Sequence, residues 1–217
     1  MQRRYSIAVW LAGLVGVSAG AGIIDRIAVS VGNRVITETD LDKEIRITAF
    51  LNNEKSDFSP ANKRRAAERM VEQTLVRNEI EDSRYPPPTA AETEAALQEE
   101  MTRLGSDAAY RRALSEYGIS EEDLKARLTW QLMLLHFLDV RYRPGIQISD
   151  DEIRKYFDEH MRAAWMRAHP GQTPIEDDYH ASVEKTLISQ AANLQVEQWL
   201  KEARRRTHIE YHDEVFQ

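Results

Sequence analysis

The chain contains no cysteine, which excludes disulfides, thiolate metal sites, a cysteine nucleophile and a lipidated N-terminal cysteine. It also lacks a Gly-x-Ser-x-Gly elbow, a P-loop, a dinucleotide-binding fingerprint and an EF-hand loop, the short motifs that would position a reacting serine, a phosphate or calcium. No internal repeat and no low-complexity segment is present. Positive charge is in deficit, with 29 Lys and Arg against 36 Asp and Glu, so nucleic acid is not an expected partner. These absences predict no cofactor, no metal and no catalytic residue. A chain of this kind folds on its core alone, and 217 residues are enough for one domain of ordinary size.

What is present starts with a targeting signal. Arg3 and Arg4 form a basic region, Ile7–Val17 an apolar one, and Ala19-Gly20-Ala21 the small-x-small pattern of a signal-peptidase site. Residues 1–21 therefore read as a signal peptide cleaved after Ala21, with delivery to the periplasm and no stable membrane insertion afterwards. The alternative is an inner-membrane anchor facing the periplasm, because Tyr5–Ile24 carries no charge and is long enough to span a bilayer. Its glycines and the absence of a leucine run favour cleavage, and the flanking Gln-Arg-Arg-Tyr-Ser is a poor twin-arginine match. Cleavage removes Arg3, Arg4 and no acid, so 29 basic and 36 acidic side chains become 27 and 36, a formal charge of −9.

Next comes a compact unit. Ile27, Val29 and Val31 alternate with polar or small residues, Gly32-Asn33 suits a tight turn, and Val35 and Ile36 resume the apolar pattern, predicting a β-hairpin. Thr37 and Thr39 then offer cap oxygens, Asp40 and Asp42 suit a helix N-terminus, and Leu41 and Ile45 begin a helical stripe.

Most of the remainder predicts helix. Thr89-Ala-Ala-Glu92, Ser120-Glu-Glu-Asp123, Ser149-Asp-Asp-Glu152 and Thr173-Pro-Ile-Glu176 have the form of capping boxes, the acid at the fourth position reaching back to the cap. Ser59-Pro60 opens a further helix through Arg84, with Ala67, Val71 and Leu75 on one face. Tyr85-Pro-Pro-Pro88 stops it as a rigid turn, and Gly105, Gly118 and Pro144-Gly145 end later helices. The run Trp130–Leu138 is apolar nearly all round, which predicts a central helix covered on several sides. A last helix over about 174–206 carries Val183, Leu187, Ala191, Leu194 and Leu200, and Ile209 and Tyr211 alternate as a strand able to pair with the hairpin. The fold class is mainly α: a multi-helix core with a short N-terminal β-hairpin joined by a C-terminal strand.

A search for a site among the six histidines finds no constellation. His208 and His212 lack zincin spacing, His136 lies within the apolar helix as a hydrogen-bonded core histidine, and His160, His169 and His180 sit in polar company. Asp150-Asp-Glu152 and Glu176-Asp-Asp178 are acids at helix starts, and Arg204-Arg-Arg206 are cations at a helix end.

An exported chain opening with IAVSVGNRVITETDLDKEI and continuing with RRAAERMVEQTLVRNEIE resembles the N-terminal domain of SurA-type periplasmic chaperones. Tyr117–Leu128 is similar to the family's glycine, apolar, serine, acidic lead-in to its long helix, and Ile146–Ile153 to the segment leading out of that domain. Val196–Ala203 and Ile209–Tyr211 look like the closing helix and strand. The resemblance divides residues 22–217, one core domain, into an N-terminal region 22–160, a short connection 161–173 and a closing part 174–217. Family members usually insert parvulin-type prolyl isomerase domains at that connection, and no such domain fits in it.

The resemblance implies an ATP-independent holdase for unfolded or partly folded exported polypeptides, outer-membrane β-barrel precursors in particular. Its expected binding residues are accessible aromatic and methionine side chains: Trp130, Met133, Phe137, Phe157, Trp165 and Met166. A homodimer through the long helices is a further expectation. Two rival readings are a dedicated envelope assembly partner and a prolyl isomerase with unrecognised machinery; a membrane-anchored relative of PpiD-type chaperones differs only in keeping residues 1–24.

Overall fold

The computed structural model describes residues 25–83 and 85–217; the expected signal peptide, residues 1–21, lies outside them. Strands β1 (Ile27–Val31) and β2 (Arg34–Thr37) form the antiparallel hairpin. The two-residue turn places Gly32 at φ 61°, a conformation glycine adopts without strain. β3 (Ile209–Tyr211) adds antiparallel to β1, giving the order β2-β1-β3 and uniting the two ends of the described chain. Backbone bonds from Gly32 N–H to the His208 oxygen (2.8 Å) and from His212 N–H to the Ala28 oxygen (2.9 Å) close the seam. The simple alternation fails at one place. The register shifts between Ile27 and Val29, so Ala28 turns inward and Ile27 is left exposed.

Helix α1 (Glu38–Asn52) follows at once, with Thr37 and Asp40 as reciprocal caps. Then come α2 (Pro60–Ser83), α3 (Ala90–Arg103), α4 (Asp107–Tyr117) and α5 (Glu121–Arg141). The boxes at Thr89, Ser120 and Ser149 form as expected, each with its cap side chain and acid bonded both ways. α6 (Asp150–Tyr156) runs through a π-helical turn, Phe157–Met161, into α7 (Arg162–Ala168), and α8 (His180–Arg206) leads to β3. Among these helices none is long and apolar enough to cross a membrane.

Two starts differ from expectation. Ser106 caps α4 by accepting from Ala109 N–H at 3.2 Å. Thr173 caps nothing: the Asp178 carboxylate takes the Ile175 N–H at 3.0 Å, a single tight turn follows, and α8 begins only at His180. Tyr179, stacked on Phe157 at 3.8 Å and 9° between planes, anchors that start instead.

Apolar burial is divided among four clusters. The first joins Val29, Val31 and Ile36 of the sheet to Leu41 and Ile45 of α1, Val71 and Leu75 of α2, and Ala203 of α8. The second packs Ile47 and Phe50 of α1 on Leu97, Tyr110, Leu114, Leu124 and Leu128. The third gathers Val76 and Ile80 of α2, Phe137 of α5, Tyr142 and Ala192 of α8. The fourth, in the arm made by α6, α7 and the start of α8, holds Ile153, Phe157, Tyr179 and Val183. α8 touches the fourth, third and first in turn, so it is the spine of the molecule. α5, expected to be central, is not.

Candidate binding groove

α5 is fixed along three lines. Ser120 and Asp123 cap its start, and Asp123 lies 2.7 Å from Lys43 of α1; Lys43, followed by the Ser120 cap, holds the Asp123 carboxyl below its ordinary range. Toward α3 the contacts are polar, with Thr129 and Thr93 hydroxyls 3.3 Å apart and His136 Nε2 3.3 Å from Glu92 Oε1. On a neighbouring face Phe137 is fully buried, edge-on to Tyr85, Tyr142 and Trp199.

These supports leave much of the helix uncovered. Leu124 and Leu128 are buried, but Leu132 and Leu135 continue the same stripe beyond the last neighbour, and Leu135 and Val140 are 52% and 58% exposed.

Between α5 and the pair α1 and α2 runs an open groove of two cavities, about 350 and 240 Å³, sharing Arg77, Ala126 and Trp130 in their walls. The smaller is the more apolar, walled by Ile80, Trp130 and Met133. The larger reaches Ile47 and Met70, and the ion pair of Glu44 with Arg127, 2.7 Å apart and mostly buried, forms part of its lining. Thr48 also donates to Glu44 at 3.3 Å. The Arg77 guanidinium lies over the Trp130 ring at 4.8 Å, leaving that ring braced on one face. Adaptable methionine, a braced indole and a charged rim suit an extended, partly apolar chain.

The six expected binding residues do not form one surface. Trp130 and Met133 line the groove. Phe137 and Phe157 are fully buried, which corrects the expectation that they are accessible: each sits where several elements meet, and neighbouring aromatic rings pack against it. Trp165, half-buried, and Met166, exposed, lie on the arm with the fourth cluster. Ile47, Met70, Ile80, Arg77 and the Glu44–Arg127 pair were not identified from sequence, since each belongs to a helix face that reads as ordinary core or surface. For Leu135 and Val140 a signal existed, namely a helix apolar on too many sides.

Asp150, Glu176 and His180 bring ligand atoms within 4.8 Å of one another. The Arg154 guanidinium already lies 3.7 Å from Glu176, and His180 Nε2 is 3.3 Å from Asp150, so the cluster ties α6 to the start of α8 with its own positive charge. Arg204, expected only to complement a helix end, instead bonds Glu68 of α2 at 2.7 Å beside Tyr211, whose hydroxyl burial, then Glu68, pushes up to about 12. No protein-family model matches the chain, and no curated protein matches it.

Proposed function

We propose that this protein is an ATP-independent holdase of the periplasm that binds unfolded exported polypeptides, outer-membrane β-barrel precursors among them, in the groove between α2 and α5. The observation that carries the reading is the groove side of α5, where Trp130 and Met133 face Met70 and Ile80 of α2 across an open cleft and Val140, on the same side of the helix as Met133, is 58% exposed. Large apolar side chains kept at a surface cost solubility unless they meet a partner. The resemblance of residues 23–160, 196–203 and 209–211 to SurA-type chaperones supports the same reading. The sheet that joins the two ends and the spine of α8 supply a frame against which a mobile client exchanges without the frame moving.

The test is a titration of the purified protein against a labelled, urea-diluted outer-membrane β-barrel precursor by fluorescence anisotropy, with a folded soluble protein as control. The holdase reading predicts saturable binding to the unfolded precursor alone and less light scattering from aggregation. Binding of neither at tens of micromolar, or equal binding of both, removes it and leaves the dedicated envelope partner.

A further inference from the structure

The loop between α1 and α2 bounds a pocket of about 290 Å³ that is separate from the groove. The residues α1 gives it, Ile45, Ala49 and Asn52, lie on the other side of that helix from Asp40, Lys43 and Ile47, which line the groove. α2 contributes Asn62, Arg65 and Arg69 from a single face, and the loop adds Lys55. In a protein whose acids outnumber its bases 36 to 29, these three cations meet no carboxylate at ion-pair distance among the described residues. The nearest charges of α2 are already committed: Lys63 bonds Glu38, Arg64 lies against Asp213, and Glu68 and Glu72 face Arg204. Arg65 and Arg69 are like charges one turn apart, and the first turn of α2 holds no acid, so nothing within the helix relieves them.

Two acids also line the pocket, Glu54 and Asp57, both from the loop. Asp57 is committed to Ser59, whose N–H it accepts at 2.9 Å with one oxygen and whose hydroxyl it accepts at 3.0 Å with the other, and these bonds hold its carboxyl below the ordinary range. Glu54 is exposed and pairs with none of the three cations. Asn62 donates to the Asp57 carbonyl oxygen at 2.7 Å and accepts from Arg65 at 3.4 Å, which ties the loop to the helix and holds Arg65 beside it.

We propose that this pocket binds a small phosphate monoester. Two guanidinium forks and an ammonium match the three terminal oxygens and the double charge of such a group, whereas a carboxylate offers two oxygens and one charge. Beside the cations stand the Asn52 amide and the Thr48 hydroxyl, so the body of the ligand is hydroxylated, as in glycerol phosphate. The inference does not rest on the holdase reading.

The experiment titrates the full chain with glycerol phosphate, inorganic phosphate, sulfate and acetate at constant ionic strength, following the arginine Nε–Hε signals by proton–nitrogen correlation spectroscopy. Two signals should shift saturably, and Arg65→Gln and Arg69→Gln should each remove one of them. Each variant should weaken glycerol phosphate about tenfold, the loss of one charge-assisted contact, and acetate should bind wild type more weakly by at least as much. Because no histidine lines the pocket, affinity for glycerol phosphate should fall between about pH 7.5 and about pH 5.5 through the ligand's own second ionisation near about 6, while sulfate binding stays constant. Arg112→Gln should bind as wild type, and all variants should keep the wild-type circular dichroism. Vesicles of phosphatidic acid that displace glycerol phosphate assign the group to a lipid headgroup, and vesicles that leave it bound assign it to a soluble ester; both keep the pocket's chemistry. No saturation below about 10 mM, equal affinity in wild type and Arg69→Gln, or acetate binding as tightly as glycerol phosphate overturns the proposal.

Discussion

Helices α2 and α5 make opposite use of their apolar residues. α2 is strongly polar overall, yet Ala66, Ala67, Val71, Leu75, Val76 and Ile80 are all buried, shared between the sheet cluster and the cluster around Phe137. α5 carries more large apolar side chains, and only Leu124, Leu128 and Phe137 are fully buried. Where a helix has few apolar groups, nearly all are committed to the frame, with Met70 and the edge of Ile80 reaching the groove; where it has many, the surplus is left over at a surface. The comparison separates residues that hold the fold from residues available to a partner, although both look alike in a hydropathy pattern.

The largest effect that tests this separation lies within α5 itself. Phe137→Ala removes a ring packed among three others and should cost about 4 kcal/mol, while Leu135→Ala should stay within about 0.5 kcal/mol of wild type. Urea unfolding followed by circular dichroism reads both, and similar losses at the two positions would break the comparison. Second in size is the ion pair under the groove. Glu44→Ala leaves Arg127 largely buried without its partner and should cost about 3 kcal/mol, much of it recovered when both residues become leucine; a double variant as unstable as the single one would show that the pair does more than neutralise itself.

The smallest effect is electrostatic and belongs to the frame. Lys63, then Arg26, hold the Glu38 carboxyl below its ordinary range. A depressed folded pKa stabilises above the unfolded value and is lost as pH falls through the folded one. The difference between wild type and Glu38→Gln should therefore be present at neutral pH, of order 0.5 kcal/mol for a pair this near the surface, and fade as pH falls below the ordinary glutamate range of about 4. Unfolding midpoints measured from pH 7 down to pH 3 decide it, and a difference that grows toward acid contradicts the sign.

Local chemistry made much of the fold legible. Reciprocal caps announce α1, α3, α5 and α6 because serine or threonine and the acid three residues on satisfy each other within one turn, without help from the rest of the chain. Ser106 has alanine at the matching position and so announced nothing, although its hydroxyl still caps α4. At Thr173 the sequence pattern was present, but Asp178 captured the local N–H and the Tyr179–Phe157 stack fixed the start of α8 further on. The strand pairing of β3 followed from the need of a lone hairpin for a third strand. Ile27 faced outward because a bulge, invisible in an alternation pattern, shifts the register.

The candidate site was only half legible. Trp130 and Met133 reach the groove, but no pattern distinguishes them from Phe137 one and two turns away, because burial depends on where α2, α3 and α8 stop covering α5. The groove's opposite wall, Ile47, Met70 and Ile80, comes from the consecutive helices α1 and α2, far from α5 in sequence.

The most direct test places a photoreactive phenylalanine derivative at Met133, and separately at the exposed Arg112 of α4, and irradiates each protein with the urea-diluted β-barrel precursor. Adducts at Met133 and none at Arg112, abolished by excess unlabelled precursor, are the predicted result. Saturable binding with no adduct at Met133, or equal adducts at both positions, would contradict a client held between α2 and α5.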